Sequence, residues 1–313
     1  MKKMAENALK KTEPNEAAHR RLIAADLGNT AMKFGLFHAP AALAAKDDCV
    51  SSQIPYPYSL TDIRETDERF LTLETWLGAI LRHEGGLPGH ADGERFHWGI
   101  ASVAHERTAM LLDWLRANRP NDSVTQIEGG DVPLEVEYAP KASLGVDRRL
   151  AALAATAFFP NSVSVLMVDI GTAAKIDRVE RGRFVGGAIL PGPSTQARSL
   201  CEKTDRLPEI DWQKKSAPFF YPATTTESAI RTGIFGGILG AILFFYRETL
   251  RQTGDDFLPI LLTGGGATGL ELPLESLLAE ELALRTGRKP PRIVRTSRDA
   301  VLTGIALSLL RKN

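Results

Sequence analysis

The chain has 313 residues, and its 38 Lys and Arg are balanced by 38 Asp and Glu, for a formal net charge of 0. Hydrophobic residues make up 43% and charged residues 24%, the mix of a water-soluble globular protein rather than a disordered or fibrous one. A neutral balance argues against a nucleic-acid binder, which needs a basic surface to displace counterions from phosphates. Two cysteines, Cys49 and Cys201, are too few for a disulfide framework or a four-thiolate metal site, and they fit a reducing cytoplasm.

In chain order, residues 1–20 are polar, carry Glu6, Glu13 and Glu16, and lack the apolar core of a secretory signal, so they read as a disordered tail. Order begins at Leu22. The apolar run Leu22 to Asp26 stops at Asp-Leu-Gly-Asn-Thr, and the alternation of Met32, Phe34 and Leu36 that follows is the period-two signature of a β-hairpin. Residues 39–95 are less regular: a helix is expected around Phe70 to His83, beside the Gly/Pro-rich patch Gly85 to Gly89. A strand is expected over Trp98 to Val103. Gly145 then precedes an amphipathic, Ala-rich helical run over Leu150 to Phe159.

The second half restarts the pattern. Ser162 to Asp169 is again an apolar strand ending in Asp-Ile-Gly-Thr-Ala, followed by a return strand. Asp26 to Lys33 and Asp169 to Lys175 thus look like two copies of one device, which suggests two similar α/β halves facing each other across a cleft. The stretch Gly233 to Tyr246 is the most apolar, yet shorter than the roughly 20 residues that span a bilayer. It is expected to be a helix buried on most sides, with no membrane segment in the chain. No Cys/His spacing suits zinc.

The repeated device suits phosphate chemistry. A Gly in a tight turn lets backbone N–H groups approach phosphate oxygens, and Thr or Asn adds hydrogen bonds. A carboxylate at a strand end can hold a hydrated Mg²⁺ that phosphates complete. Lys33 is either a point charge for phosphate or an exposed strand Lys. A third glycine cluster, Thr263 to Gly266, follows another apolar run and offers a flat backbone surface for a base and ribose. Asp147 and Arg148 follow Gly145: a carboxylate in a first helical turn is favoured by the dipole, worth about 0.3–1 kcal/mol. The same pair also reads as an acid/base beside a planar fork for a substrate carboxylate.

The order of these segments resembles the actin/hexokinase/Hsp70-like ATPases, and within them the type III pantothenate kinase family. The resemblance rests on Asp26 to Lys33, Ala101 to Val103, Tyr138 to Pro140, Leu144 to Arg148 and Asp169 to Ala173. It continues through Gly186 to Gly192, Thr204 to Pro208, Thr226 to Ile230 with Gly233, and Thr263 to Gly266. It implies an α/β fold of two ribonuclease-H-like halves across an ATP cleft, divided as 21–145 with the first phosphate loop and 146–313 with the second phosphate loop and the adenosine loop. It implies a cytoplasmic enzyme that phosphorylates pantothenate with ATP, the first step of coenzyme A biosynthesis.

By the same resemblance the nucleotide lies along Asp26, Leu27, Gly28, Asn29, Thr30, Ala31, Met32, Lys33 and Thr172, with Mg²⁺ near Asp26. Asp147 accepts the proton of the pantothenate hydroxyl, and Tyr138, Gly145, Val146 and Arg148 bind pantothenate. Asp169 is the implied protein ligand of a monovalent cation, K⁺ or NH₄⁺. The implied assembly is a homodimer with a shared site, in which Thr226 reaches the partner's pantothenate; from the residues alone Thr226 is a helix N-cap.

Two features depart from the pattern. Lys175 stands where the family commonly has a small or hydroxyl residue; it pairs with phosphate or Asp177, or crowds the nucleotide. No Gly precedes Thr226 in Tyr221 to Thr226. Asp177 is left without a role, as a supporting group or an edge charge. The competing readings are a kinase for another small hydroxy acid and a non-catalytic accessory homologue, though the latter has no reason to keep Asp26, Asp147 and Arg148 together.

Overall fold

In the computed structural model, the residues described are 21–38, 57–64, 69–83, 95–212, 221–297 and 299–311. The expectations for the N-terminal tail, for Cys49 and for the patch at 85–89 lie outside them.

Two sheets carry the fold. The first is built from β1 (Arg21–Leu27), β2 (Ala31–His38), β3 (Pro57–Arg64), β4 (Phe96–Ser102) and β5 (Ser123–Gln126), in the order β3-β2-β1-β4-β5. β1, β2 and β3 form an antiparallel meander, while β4 and β5 run parallel to β1. The second sheet contains β6 (Glu135–Val136), β7 (Ser164–Ile170), β8 (Ala173–Glu180), β9 (Arg183–Pro191), β10 (Ile260–Thr263) and β11 (Val294–Thr296), in the order β11-β10-β7-β8-β9-β6. Here β7, β8 and β9 are the meander, and β10 and β11 are the parallel pair. With β6 set aside, strand for strand, the second sheet repeats the first. The duplication read from the two Asp-Gly-Thr segments is therefore a property of whole sheets.

The helices follow from what each sheet face must cover. α1 (Arg69–His83) and α2 (His105–Asn118) bring Leu73, Trp76, Leu77, Leu111 and Leu115 onto one face of the first sheet, against Phe34 and Trp98. The other face meets α7 (Ala300–Arg311) through Leu302, Ile305 and Leu309. α3 (Val146–Phe158) joins the two sheets: Leu150 and Leu153 pack with α7, while Ala151, Ala154 and Phe158 pack on Val165, Met167 and Leu261 of the second sheet. Small residues let these helices approach closely. Gly304 of α7 lies against the Leu150 carbonyl, where a Cβ would overlap it.

α4 (Pro193–Lys203), α5 (Thr226–Thr253) and α6 (Glu271–Thr286) cover the outer face of the second sheet. The sequence expectation for α5 needs correcting. It is a 28-residue helix, long and apolar enough to cross a membrane, and most of its apolar length is not buried. Ile230, Ile234, Ile238, Ile242 and Tyr246 recur at i, i+4 and form one buried stripe, while Phe244 is exposed. It packs on the core through that one stripe and leaves an apolar side open, rather than being enclosed all round. Its N-cap is Thr225, not Thr226: the Thr225 hydroxyl accepts from the Ser228 N–H at 3.2 Å.

Candidate active site

The β1–β2 and β7–β8 turns are built alike. In each, a buried strand runs out at an Asp, and the Gly two residues later donates its N–H to the first carbonyl of the return strand, Gly28 to Ala31 at 3.0 Å and Gly171 to Ala173 at 2.9 Å. In each register the Asp faces a Lys: Asp26 opposite Lys33, and Asp169 opposite Lys175. The turns meet in space, since the Thr30 and Thr172 hydroxyls are 2.7 Å apart.

Between them opens a cleft of about 1810 Å³. Asp26, Gly28, Asn29, Thr30, Ala31 and Lys33 line one side, and Asp169, Gly171, Thr172 and Lys175 the other. Asp147, in the first turn of α3, closes the floor. The glycine cluster after β10 forms a further wall through Gly265 and Gly266. Gly264 adopts φ +93 against the Ile170 carbonyl and the Asp169 carboxylate, a conformation and a closeness that a Cβ would not allow. Strand alternation divides the remaining expected residues. Leu27 and Met32 are buried in the core, so at these positions only backbone faces the turn. Val146 is likewise a core residue.

Arg148 departs further from its expected role as an open fork for a substrate carboxylate. It is buried, and its Nε and Nη2 both donate to Asp177, the first at 3.0 Å. Tyr138 and Phe184 lie against the guanidinium, at 5.5 and 5.2 Å from ring centre to Cζ. Burial works against the Arg148 charge, but the bonds to Asp177 and Tyr138 outweigh it and raise its pKa. Asp177 is fully buried and so is no edge charge. The pair ties the first turn of α3 to β8, which fixes the backbone that carries Asp147. Arg149 does the same from the other side, donating to the Gly129 carbonyl at 2.9 Å and to the Lys141 carbonyl. Thr226 is exposed and does not line its own chain's cleft, whereas Thr224, Thr225 and Ser228 do.

The electrostatics centre on three carboxylates. Burial pushes the Asp26 carboxyl up to about 6, with Lys33 opposing and the Asp147 and Asp169 charges adding to the rise. Lys175 lies between the other two: its Nζ donates at 2.8 Å to Asp147 Oδ2 and at 2.8 Å to Asp169 Oδ2. Burial disfavours its charge, but the two carboxylates more than offset this and hold it above the ordinary lysine range. Lys175 therefore bonds to Asp147 and Asp169 rather than to Asp177, the protein partner the sequence suggested. Its importance was visible only as an unusual residue type; the bridge itself depends on how α3 meets β8. Arg198, Trp212 and Asp299 also line the cleft and carry no recognisable sequence signal.

A family model described as type III pantothenate kinase matches residues 22–248. The chain belongs to that family. A type III pantothenate kinase from Kosmotoga olearia is 33% identical over 252 residues, covering 78% of this chain and 85% of the relative. One from Desulfovibrio desulfuricans is 30% identical, covering 80% and 87%. Among solved structures, the activator of the 2-hydroxyisocaproyl-CoA dehydratase from Clostridium difficile with bound ADPNP aligns over 93% of this chain and 95% of its own, at 13% identity and a TM-score of 0.43. As a type III pantothenate kinase, the chain is a transferase of coenzyme A biosynthesis whose substrates are pantothenate and ATP.

Proposed function

We propose that Asp147 accepts the proton of the pantothenate primary hydroxyl while the γ-phosphoryl group of ATP transfers to it, giving 4'-phosphopantothenate. The observation that carries this reading is the position of Asp147, on a helix fixed from both sides and open to the cleft that the two phosphate-type turns enclose. Asp147 Oδ2 holds Lys175, and Oδ1 lies over Gly145, where a Cβ would crowd it. That oxygen is the one left for a substrate hydroxyl. Phosphoryl transfer has a loose transition state, so orientation and charge neutralisation outweigh the strength of the base. The Gly28 and Gly171 turns, with Thr30 and Thr172, hold the phosphates, and the backbone at Gly265 and Gly266 takes the adenosine end. Tyr138, Gly145, Val146 and Arg148 then act on pantothenate through the shape they give the α3 entry.

Asp26 suits a divalent metal such as Mg²⁺. Among the described residues no group of three or more His, Cys, Asp and Glu is arranged to hold a metal alone, so this would be one carboxylate completed by phosphate and water. The ion would neutralise phosphate charge when bound. The halves divide near residue 146 in this reading, with β6 paired into the second sheet and α7 returning to the first, and the enzyme is a cytoplasmic homodimer. The exposed Thr226 and the open apolar side of α5, with Phe244 upon it, support a shared site in which Thr226 reaches the partner's pantothenate.

The test is ADP release with Mg-ATP and pantothenate by the purified protein and by Asp147→Asn. Pantothenate-dependent turnover that falls by about 10²–10⁴ in the variant is expected. Turnover on other hydroxy acids but not on pantothenate would favour the competing kinase reading.

A further inference from the structure

Asp169 is where the family resemblance puts a monovalent cation, and the residues present do not fit one. Asp169 Oδ2 already holds the Lys175 ammonium at 2.8 Å, and the same Nζ bonds Asp147 at 2.8 Å. All three side chains are largely shielded from solvent, with exposures of 17% for Lys175, 22% for Asp147 and 15% for Asp169. An ammonium at this distance from two carboxylates makes charge-assisted hydrogen bonds of ordinary length. It is chemically an NH₄⁺ carried on a four-carbon stem. A free cation entering beside it meets a like charge at close range, and the Asp169 oxygen it would need is already taken by the ammonium that Asp147 shares. The stem is anchored in the register of β8 opposite Asp169, so the charge arrives with the fold and needs no binding equilibrium.

We propose that Lys175 is this enzyme's built-in monovalent cation, filling the place at Asp169 of an external K⁺ or NH₄⁺, so that its reaction does not depend on a free monovalent ion. The proposal rests on the pantothenate kinase reading of the cleft. Lys175 is a positioning residue here: it acts by holding Asp147 against β8 and by placing one positive charge beside the second phosphate-type turn. The mirrored pair Asp26 and Lys33 shows that the other turn of the repeat carries its own lysine as well.

The experiment compares wild type with Lys175→Thr, which restores a small hydroxyl residue, in K⁺, NH₄⁺, Na⁺ and tetramethylammonium chlorides at one ionic strength. Wild-type kcat/KM should agree across the four salts to within about twofold, the scale of ordinary screening differences. Lys175→Thr should be at least about tenfold slower in tetramethylammonium than in K⁺ or NH₄⁺, in keeping with loss of a charge that faces the phosphates. A wild type that needs K⁺, or a variant indifferent to the salt, overturns the proposal. Melting of the Mg-ADP complex gives a second readout that needs no turnover. Wild type should melt alike in K⁺ and tetramethylammonium, and a K⁺-specific rise in its melting temperature also overturns the proposal. If no salt supports turnover on pantothenate, the substrate reading fails, while the melting comparison still decides the cation question.

Discussion

The hydroxyls of Thr30 and Thr172 meet 2.7 Å apart although 142 residues separate them in the chain. Each caps the turn of one half of the repeat, so this contact is where the two halves touch at the cleft. In the proposed reading both oxygens turn from each other to phosphate when nucleotide enters. Thr30→Val and Thr172→Val are each expected to raise the KM for ATP by about tenfold, the worth of one hydrogen bond to a charged group. The double variant should lose less than the sum, because each single change already breaks the mutual contact. Steady-state kinetics with ATP varied checks this; two unchanged KM values would show that the hydroxyls only face each other.

Arg148 and Asp177 are a buried pair whose partners are of unequal use once separated. Asp177→Ala leaves a buried guanidinium against Tyr138 and Phe184 without its carboxylate, at a cost of about 3–5 kcal/mol. Replacing both charges, Arg148→Met with Asp177→Leu, should recover much of that stability while still lowering activity, since α3 loses its tie to β8. Urea unfolding and kcat measured on the same three proteins separate the two effects. If Asp177→Ala unfolds like wild type, the pair does not hold the helix.

Much of this was readable in the sequence because it is local. A hydrophobic run, an Asp, a Gly and an alternating return strand specify a hairpin from its own residues, and both copies formed with the Asp opposite a Lys. Asp147 in a first helical turn was equally local. What could not be read depends on contacts between elements. The bond from Arg148 to Asp177 spans α3 and β8, and composition cannot distinguish a guanidinium engaged by the protein from one free for substrate. The bridge from Lys175 to Asp147 has the same origin. α5 was misjudged for a different reason: apolar content measures hydrophobicity, whereas its i, i+4 spacing of isoleucines decides which side is covered.

Gly304 tests how the halves are joined. α7 belongs to the end of the chain but packs on the first sheet, and it meets α3 where Gly304 lies against the Leu150 carbonyl. In Gly304→Ala a methyl group must displace backbone, so helix propensity gains little and overpacking dominates. A loss of about 1–3 kcal/mol is expected, measured by thermal or urea unfolding. A stabilised variant would mean that the helices separate freely at this point.

Asp26 gives the pH dependence. Burial raises its carboxyl from 3.8 to about 6 in the folded chain, whereas in the unfolded chain it titrates near the ordinary value. Between those values the folded state holds a proton that the unfolded state has released, so stability from this group falls as pH rises, and above about 6 the full penalty remains. Asp26→Asn removes the titration. With EDTA present to exclude divalent ions, the variant should gain on wild type as pH rises from about 4 to 6, and then hold an advantage of about 3 kcal/mol. Parallel stability curves for the two proteins would show that Asp26 titrates normally. The variant should also bind Mg-ATP poorly, because the charge that destabilises the free protein is the one that a divalent cation arriving with the nucleotide would neutralise.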